Sequence, residues 1–244
     1  MKIANTERPK ANLCYCSRMS SGSKWFAADG VGSIEVLDVF GSDTTIVNAA
    51  RVSFNKTVEE MGPADEKLIA YLVKHQHVSP FFHPQIQLRI KMPIFVAREW
   101  YRHTVGFARN EVSRRYVDSV PDLWYPQVDG LRARDPKLKQ GSKDVAVEGA
   151  ADILAEIQAH GSASLALYDS LLRRQVAPEV ARTVLPQSMY TEFIETASLA
   201  AYARLWRLRT DPTAQAEIRA YAEALGSLLA PHFPVSSKIL MSTD

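Results

Sequence analysis

The stretch Gln85-Ile86-Gln87-Leu88-Arg89-Ile90-Lys91-Met92 alternates polar and apolar side chains without a break and stops at Pro93. Successive side chains of a strand point to opposite faces, so this period of two specifies a strand with one buried and one wet face. Such a strand needs neighbours in a sheet and a cover on its apolar side. Pro93 can open a helix, because its missing N–H would have no intrahelical partner in the first turn, so 93–103 is read as a helix.

Other segments supply the neighbours and the cover. Ile34, Val36, Leu37 and Val39 suggest a second strand, and Gly41-Ser42-Asp43 then gives a turn and a cap for a helix through Ile46, Val47, Ala49 and Ala50. Leu68, Ile69, Leu72 and Val73 recur at helical spacing over 64–75. The C-terminal half reads as helices over 145–172, interrupted near Gly161, over 188–209 and over 213–229, with a shorter one between Pro178 and Pro186. Residues 104–115 read as loop running into extended chain, and 129–143 as an exposed linker marked by Gly130, Pro136 and Gly141. Residues 1–30 lack either period and read as an N-terminal extension. The expected fold is α+β, a single domain over 31–244 with a mixed or antiparallel sheet packed against long helices.

The bulk composition narrows the function only by exclusion. With 29 Lys+Arg against 27 Asp+Glu in 244 residues, the formal net charge of +2 gives neither a polybasic coat nor an acidic tail, so no stable nucleic-acid complex is expected. No run approaches the roughly 18 apolar residues of a membrane span. Cys14 and Cys16 are too close for an unstrained disulfide and too few for a structural zinc site, so they read as free thiols of a cytoplasmic protein. No Rossmann glycine fingerprint, P-loop or nucleophile elbow occurs. His75, His77 and His83 have no carboxylate or cysteine close in sequence, and no metal site is expected.

The densest chemistry lies between Arg98 and Tyr116, where five arginines face two glutamates over 98–115. On a helix, Arg98 and Arg102 would stack one turn apart, an unfavourable pair unless carboxylates or a bound phosphate sit between them. A salt-bridged surface with Glu99 and Glu111 is the plainer reading for Arg98. In extended chain Glu111, Ser113 and Arg115 share one face and Val112 and Arg114 the other. That pattern suits a polar-ligand site, and an exposed edge strand would look the same. Arg204, Arg207 and Arg209 crowd a helix C-terminus, which the macrodipole partly explains. Arg209 differs in preceding the Asp211-Pro212 break, where its side chain can project beyond the helix.

These residues resemble the flavin-dependent thymidylate synthase family in six ordered blocks between about Ile34 and Phe233. They are Asn48-Ala-Ala-Arg51-Val-Ser53-Phe54, His77-Val-Ser79-Pro-Phe81, Pro93-Ile-Phe-Val-Ala-Arg98-Glu99-Trp-Tyr-Arg102-His103, Asn110-Glu111-Val-Ser113-Arg-Arg115-Tyr116, Val180-Ala-Arg182-Thr-Val-Leu-Pro186 and Leu208-Arg209. The resemblance implies a homotetramer with shared active sites, FAD held without a Rossmann fold, and reductive methylation of dUMP at C5 with methylenetetrahydrofolate and NADPH. It implies that Glu99, Arg102, Glu111, Val112, Ser113, Arg114, Arg115, Arg182 and Arg209 bind the nucleotide. Flavin contacts are implied at His77, Ser79, Arg102, His103 and Glu111, with Ser53 nearby and Thr104, Ser198 and Arg204 at further cofactor positions. Arg209 matches the family residue that contacts the uracil ring and favours ionisation at N3, and the negative charge that builds on the ring lets C5 act as a carbon nucleophile without a cysteine thiolate.

The chain departs from the family pattern on the cofactor side. The Arg-His-Arg signature reads Arg102-His103-Thr104, with one extra residue before Asn110-Glu111, and Arg109 is placed to replace the lost charge. Phe82 stands where Glu is common, Glu99 where Gln is usual, and Ser198, Ala200 and Arg204 where the family has Asn or His, Arg, and Asn or His. Two further readings stay open: UMP as acceptor or a 5-hydroxymethyl product, and a non-catalytic nucleotide- or nucleic-acid-binding protein.

Overall fold

A computed structural model describes residues 23–117, 119–136 and 142–242. Five antiparallel strands form one sheet in the order β1 (Lys24–Phe26), β2 (Ser33–Phe40), β3 (Gln85–Pro93), β7 (Tyr190–Ser198) and β4 (Phe107–Glu111). The alternating segment is β3, near the middle. Ile86, Leu88, Ile90 and Met92 are wholly buried, each worth about 1.5–3 kcal/mol on transfer from water. Gln87 and Arg89 point to the open face with Ile194 of β7.

The cover comes from α3 (Ile94–Trp100), α6 (Leu199–Arg209) and α7 (Ala216–Leu229), whose Val96, Trp100, Leu199, Leu205, Ile218 and Leu225 share one core with the sheet. α1 (Asp43–Arg51), α2 (Pro63–Lys74) and α8 (Ser236–Leu240) extend it. Ser42 occupies the N-cap position of α1, and its main-chain N–H donates to Thr45 Oγ1 at 3.0 Å. Asp43 accepts the N–H groups of Val235 and Ser236 at 2.8 and 3.0 Å, which fastens the C-terminal helix to α1.

Several expectations are corrected. The segment 188–209 is not one helix: it is β7 followed directly by α6. Tyr190, Thr191, Phe193, Ile194 and Thr196 favour extended chain, and the strand alternates about Phe193 and Ala197, but the charged Glu195 sits among the inward positions and masks the period. The extension contributes a strand, because β1 pairs with β2. Residues 1–22, with Cys14 and Cys16, lie outside the described residues. The linker carries a hairpin of β5 (Arg132–Arg134) and β6 (Ser142–Ala146), so α4 (Ala150–Arg173) starts later than read and runs unbroken through Gly161. The helix after Asp211-Pro212 begins at Ala216. Between Pro178 and Pro186 lie a short helix, α5 (Pro178–Ala181), and a 3₁₀ turn over Arg182–Val184.

Candidate active site

α3 ends at Trp100, so Arg102 lies beyond the helix and does not stack on Arg98. Both are exposed, and neither side chain has a hydrogen-bond or ion-pair partner among the described residues. The carboxylate of Glu99 is taken by Arg209 instead. Arg209 Nη1 donates to Glu99 Oε2 at 3.0 Å, Nη2 to the Glu99 carbonyl at 2.9 Å and Nε to His103 Nε2 at 3.0 Å. This last bond requires a neutral imidazole with its lone pair on Nε2. Burial lowers the pKa of His103 to about 4, helped by the charges of Arg209, Arg204, Arg109 and Arg102. Arg209, the last residue of α6, thus meets the last turn of α3 at Glu99 and the chain just after it at His103.

Arg109 is the residue expected to replace the missing charge of the signature, and the structure turns it inward. Its Nε is ion-paired with Glu195, a carboxylate with no exposed surface, and its Nη2 donates to the His103 carbonyl at 2.6 Å. Trp100 Nε1 also donates to Glu195 Oε1, at 3.1 Å. Burial raises the Glu195 pKa, while Arg109 and Trp100 oppose the rise. The chain offered no local signal for Glu195, because its partners are 86 and 95 residues away.

A cavity of about 600 Å³ is lined by Glu111, Val112, Ser113, Arg114 and Arg182 together with Lys91, Asp122 and Tyr190, while Glu99, Arg102, His103, Arg109 and Arg209 lie outside its lining. Five nucleotide-binding residues read from the sequence therefore meet in one space. Glu111 joins it to the arginine cluster: Thr191 Oγ1 donates to its Oε1 at 2.6 Å, and the buried Tyr101 hydroxyl faces it without a well-formed hydrogen bond. The extended run stops at Glu111. Tyr116 N–H closes a turn on the Ser113 carbonyl at 3.0 Å, so Glu111, Ser113 and Arg115 do not alternate along one strand face as expected. Arg115 points to Glu179 at 3.3 Å, outside the lining, while Arg114 Nη1 donates to the Ser119 carbonyl at 2.6 Å. The Arg182 side chain is exposed and unpaired among the described residues. Lys91 and Asp122, paired at 2.7 Å, are lining residues that spacing did not reveal.

The residues read as cofactor contacts are more scattered. Ser53 is exposed on a 3₁₀ turn (Val52–Phe54) after α1, and Ser79 opens another (Ser79–Phe82) that packs on α1 and α6. His77 lies edge-on to Tyr71, ring centroids 6.0 Å apart. Thr104 is exposed in the loop before β4, and its carbonyl accepts from Phe107 N–H at 3.3 Å. Ser198 is buried, and its hydroxyl caps α6 by accepting Ala201 N–H at 3.2 Å, so that oxygen is already engaged. Arg204 Nη2 donates to the Val105 carbonyl at 2.6 Å. Three positions that depart from the family pattern, Phe82, Ala200 and Arg204, line one cavity of about 330 Å³ with Phe81, Ala203 and Leu208. Among the described residues no group of His, Cys, Asp and Glu is placed to hold a metal ion, and no helix is long and apolar enough to cross a membrane.

The family described as "Thymidylate synthase complementing protein" matches residues 35–235. A flavin-dependent thymidylate synthase of Thermus thermophilus is 37% identical over 211 residues, 84% of this chain and 74% of that protein. That of Treponema pallidum is 36% identical over 196 residues, 80% of this chain, and the match spans only 64% of its own length. The crystal structure of a UMP/dUMP methylase, PolB, from Streptomyces cacaoi bound with 5-Br dUMP superposes with a TM-score of 0.76 at 28% identity, covering 84% of this chain and 93% of that one. With the match running through the sheet, the arginine cluster and the cavity, this chain belongs to the family of thymidylate synthase complementing proteins, the flavin-dependent thymidylate synthases.

Proposed function

We propose that this protein is an FAD-dependent methyltransferase that converts dUMP to dTMP, drawing its one-carbon unit from methylenetetrahydrofolate and its reducing equivalents from NADPH. The observation that carries the reading is the cavity of about 600 Å³ that gathers Glu111, Val112, Ser113, Arg114 and Arg182. Arg182 and Arg114 supply cations for the phosphate, and the family resemblance adds Arg102 and Arg115, which lie outside that lining. Ser113 offers a hydroxyl, and Glu111, steadied by Thr191, accepts from the sugar or base. Arg209, outside the lining of that cavity, has five N–H donors of which three are engaged, and in this reading the other two serve a uracil carbonyl. A fixed guanidinium there stabilises the negative charge left on the uracil when N3 loses its proton, and that anion is what lets C5 attack carbon.

The chain's residues fit a flavin. The cavity of about 330 Å³ offers Phe82, Ala200 and Leu208 as apolar walls for a flat ring, with Arg204 and Arg207 as cations for a pyrophosphate. His77, Ser79, Arg102, His103, Thr104 and Ser53 would complete its surroundings. Bound FAD supplies the hydride chemistry. Shared sites in a homotetramer and a cytoplasmic location complete the proposal.

A second reading, UMP as acceptor, is favoured by the likeness to a solved UMP/dUMP methylase. The test incubates FAD-loaded protein with methylenetetrahydrofolate, NADPH and 5-tritiated dUMP or UMP. Tritium release with a product heavier by one CH2 unit than the unlabelled substrate is expected, and the better nucleotide decides between the readings. A product with an added hydroxymethyl group would correct the reaction. No release with either nucleotide, together with salt-sensitive binding of single-stranded DNA, would replace the enzyme with a binding protein.

A further inference from the structure

Three arginines from two elements converge on the main chain from the last turn of α3 to the loop before β4. Arg209 holds the carbonyl of Glu99 at 2.9 Å, Arg109 that of His103 at 2.6 Å and Arg204 that of Val105 at 2.6 Å. Between these three points the segment carries Arg102, His103 and Thr104. Arg209 and Arg204 come from one helix, α6. Arg109 comes from the sheet edge, directly opposite Glu195 in the β4–β7 register.

The middle clamp is built differently from the others. The Arg109 side chain is 16% exposed and Glu195 is fully covered, with Trp100 Nε1 on the carboxylate and Tyr202 beside it. The rings of Tyr101 and Phe107 lie 5.3 and 4.7 Å from the guanidinium carbon. Removing two charges from water is costly, and a buried ion pair often stabilises no better than apolar residues of the same volume. An apolar pair could therefore join β4 to β7. It could not hold the carbonyl of His103, because apolar side chains have no donor, whereas the planar fork of Arg109 serves the carboxylate with Nε and the carbonyl with Nη2.

We propose, resting on the uridylate reading above, that Arg109 and Glu195 are a positioning pair: they fix the main chain at His103 so that its ring faces Arg209 and aims that guanidinium at the base. Neither touches the substrate in this scheme. The pair takes over the ordering of the segment in a chain whose signature has Thr104 in place of its second arginine. The groups facing the His103 ring are Arg209, Arg204, Arg109 and Arg102, with Glu99 bound to Arg209.

Two variants separate positioning from charge balance. Arg109→Lys keeps a cation for Glu195 but lacks the fork. The double variant Arg109→Met/Glu195→Gln removes both charges, leaves an amide oxygen for Trp100 and strands no buried ion. For each, the melting temperature, kcat and KM for the uridylate and the His103 ring titration, followed by NMR, are measured. Folded variants should lose about ten- to a hundredfold in kcat with KM within about threefold. The His103 midpoint should rise from near 4 toward the ordinary 6.5. Wild-type kcat and an unmoved midpoint in Arg109→Lys would overturn the proposal, as would a double variant that behaves as wild type. A moved midpoint in a protein inactive on both nucleotides would support the clamp and sink the uridylate reading instead.

Discussion

Arg209 is held at the end of α6 by Glu99 and His103, which fixes a cation without neutralising all of its donors. A preorganised donor aimed at developing charge accounts for about 10²–10³ in rate when removed. Arg209→Gln should therefore lower kcat on that order with FAD content unchanged, as read by steady-state kinetics and the flavin spectrum; full turnover would take Arg209 out of the reaction. His103 makes a prediction about acid stability. Its folded pKa lies near 4, below the ordinary 6.5, so between those values the unfolded chain binds the extra proton and stability falls on acidification. Each pH unit across that window costs up to about 1.4 kcal/mol. Melting temperatures from pH 7 to 4 should fall more steeply for wild type than for His103→Asn, and equal slopes would place the proton uptake elsewhere.

At the scale of elements, the least legible feature was the junction of β7 and α6. Leu199 follows Ser198 with no glycine or proline between strand and helix, and arginine-rich helical spacing downstream made the whole segment read as helix. The consequence reaches the site, because β7 supplies Glu195 and α6 supplies Arg204 and Arg209. The packing of α6 on α7 gives a test. A Cβ at Gly226 would stand 2.6 Å from Trp206 Nε1 and 3.0 Å from its Cδ1, so the indole must move. Overpacking costs about 1–3 kcal/mol against the roughly 1 kcal/mol that alanine gains in a helix interior. Gly226→Ala should lower the melting temperature by several degrees in a thermal scan. A rise would mean that the indole shifts freely.

At the scale of the molecule, the sheet is covered on one face and leaves Gln87, Arg89 and Ile194 open on the other. Light scattering should give four times the chain mass if the proposed tetramer forms, and Arg89→Glu or Ile194→Asp should lower that mass if the open face is used. A monomer with full activity would place every site residue within one chain. The alternation at Gln85–Met92, the cap at Ser42 and the ordered blocks around Arg102, Glu111, Arg182 and Arg209 were written in the sequence, because periodicity and capping act between neighbours a few residues apart. Which cations are engaged and which remain open to a ligand was decided only by the fold. Arg209 meets His103 and Glu99 across 106 and 110 residues, Arg204 meets Val105 across 99, and Arg109 meets Glu195 across 86. Burial and charge pairing belong to pairs of distant residues, and no period along the chain encodes them.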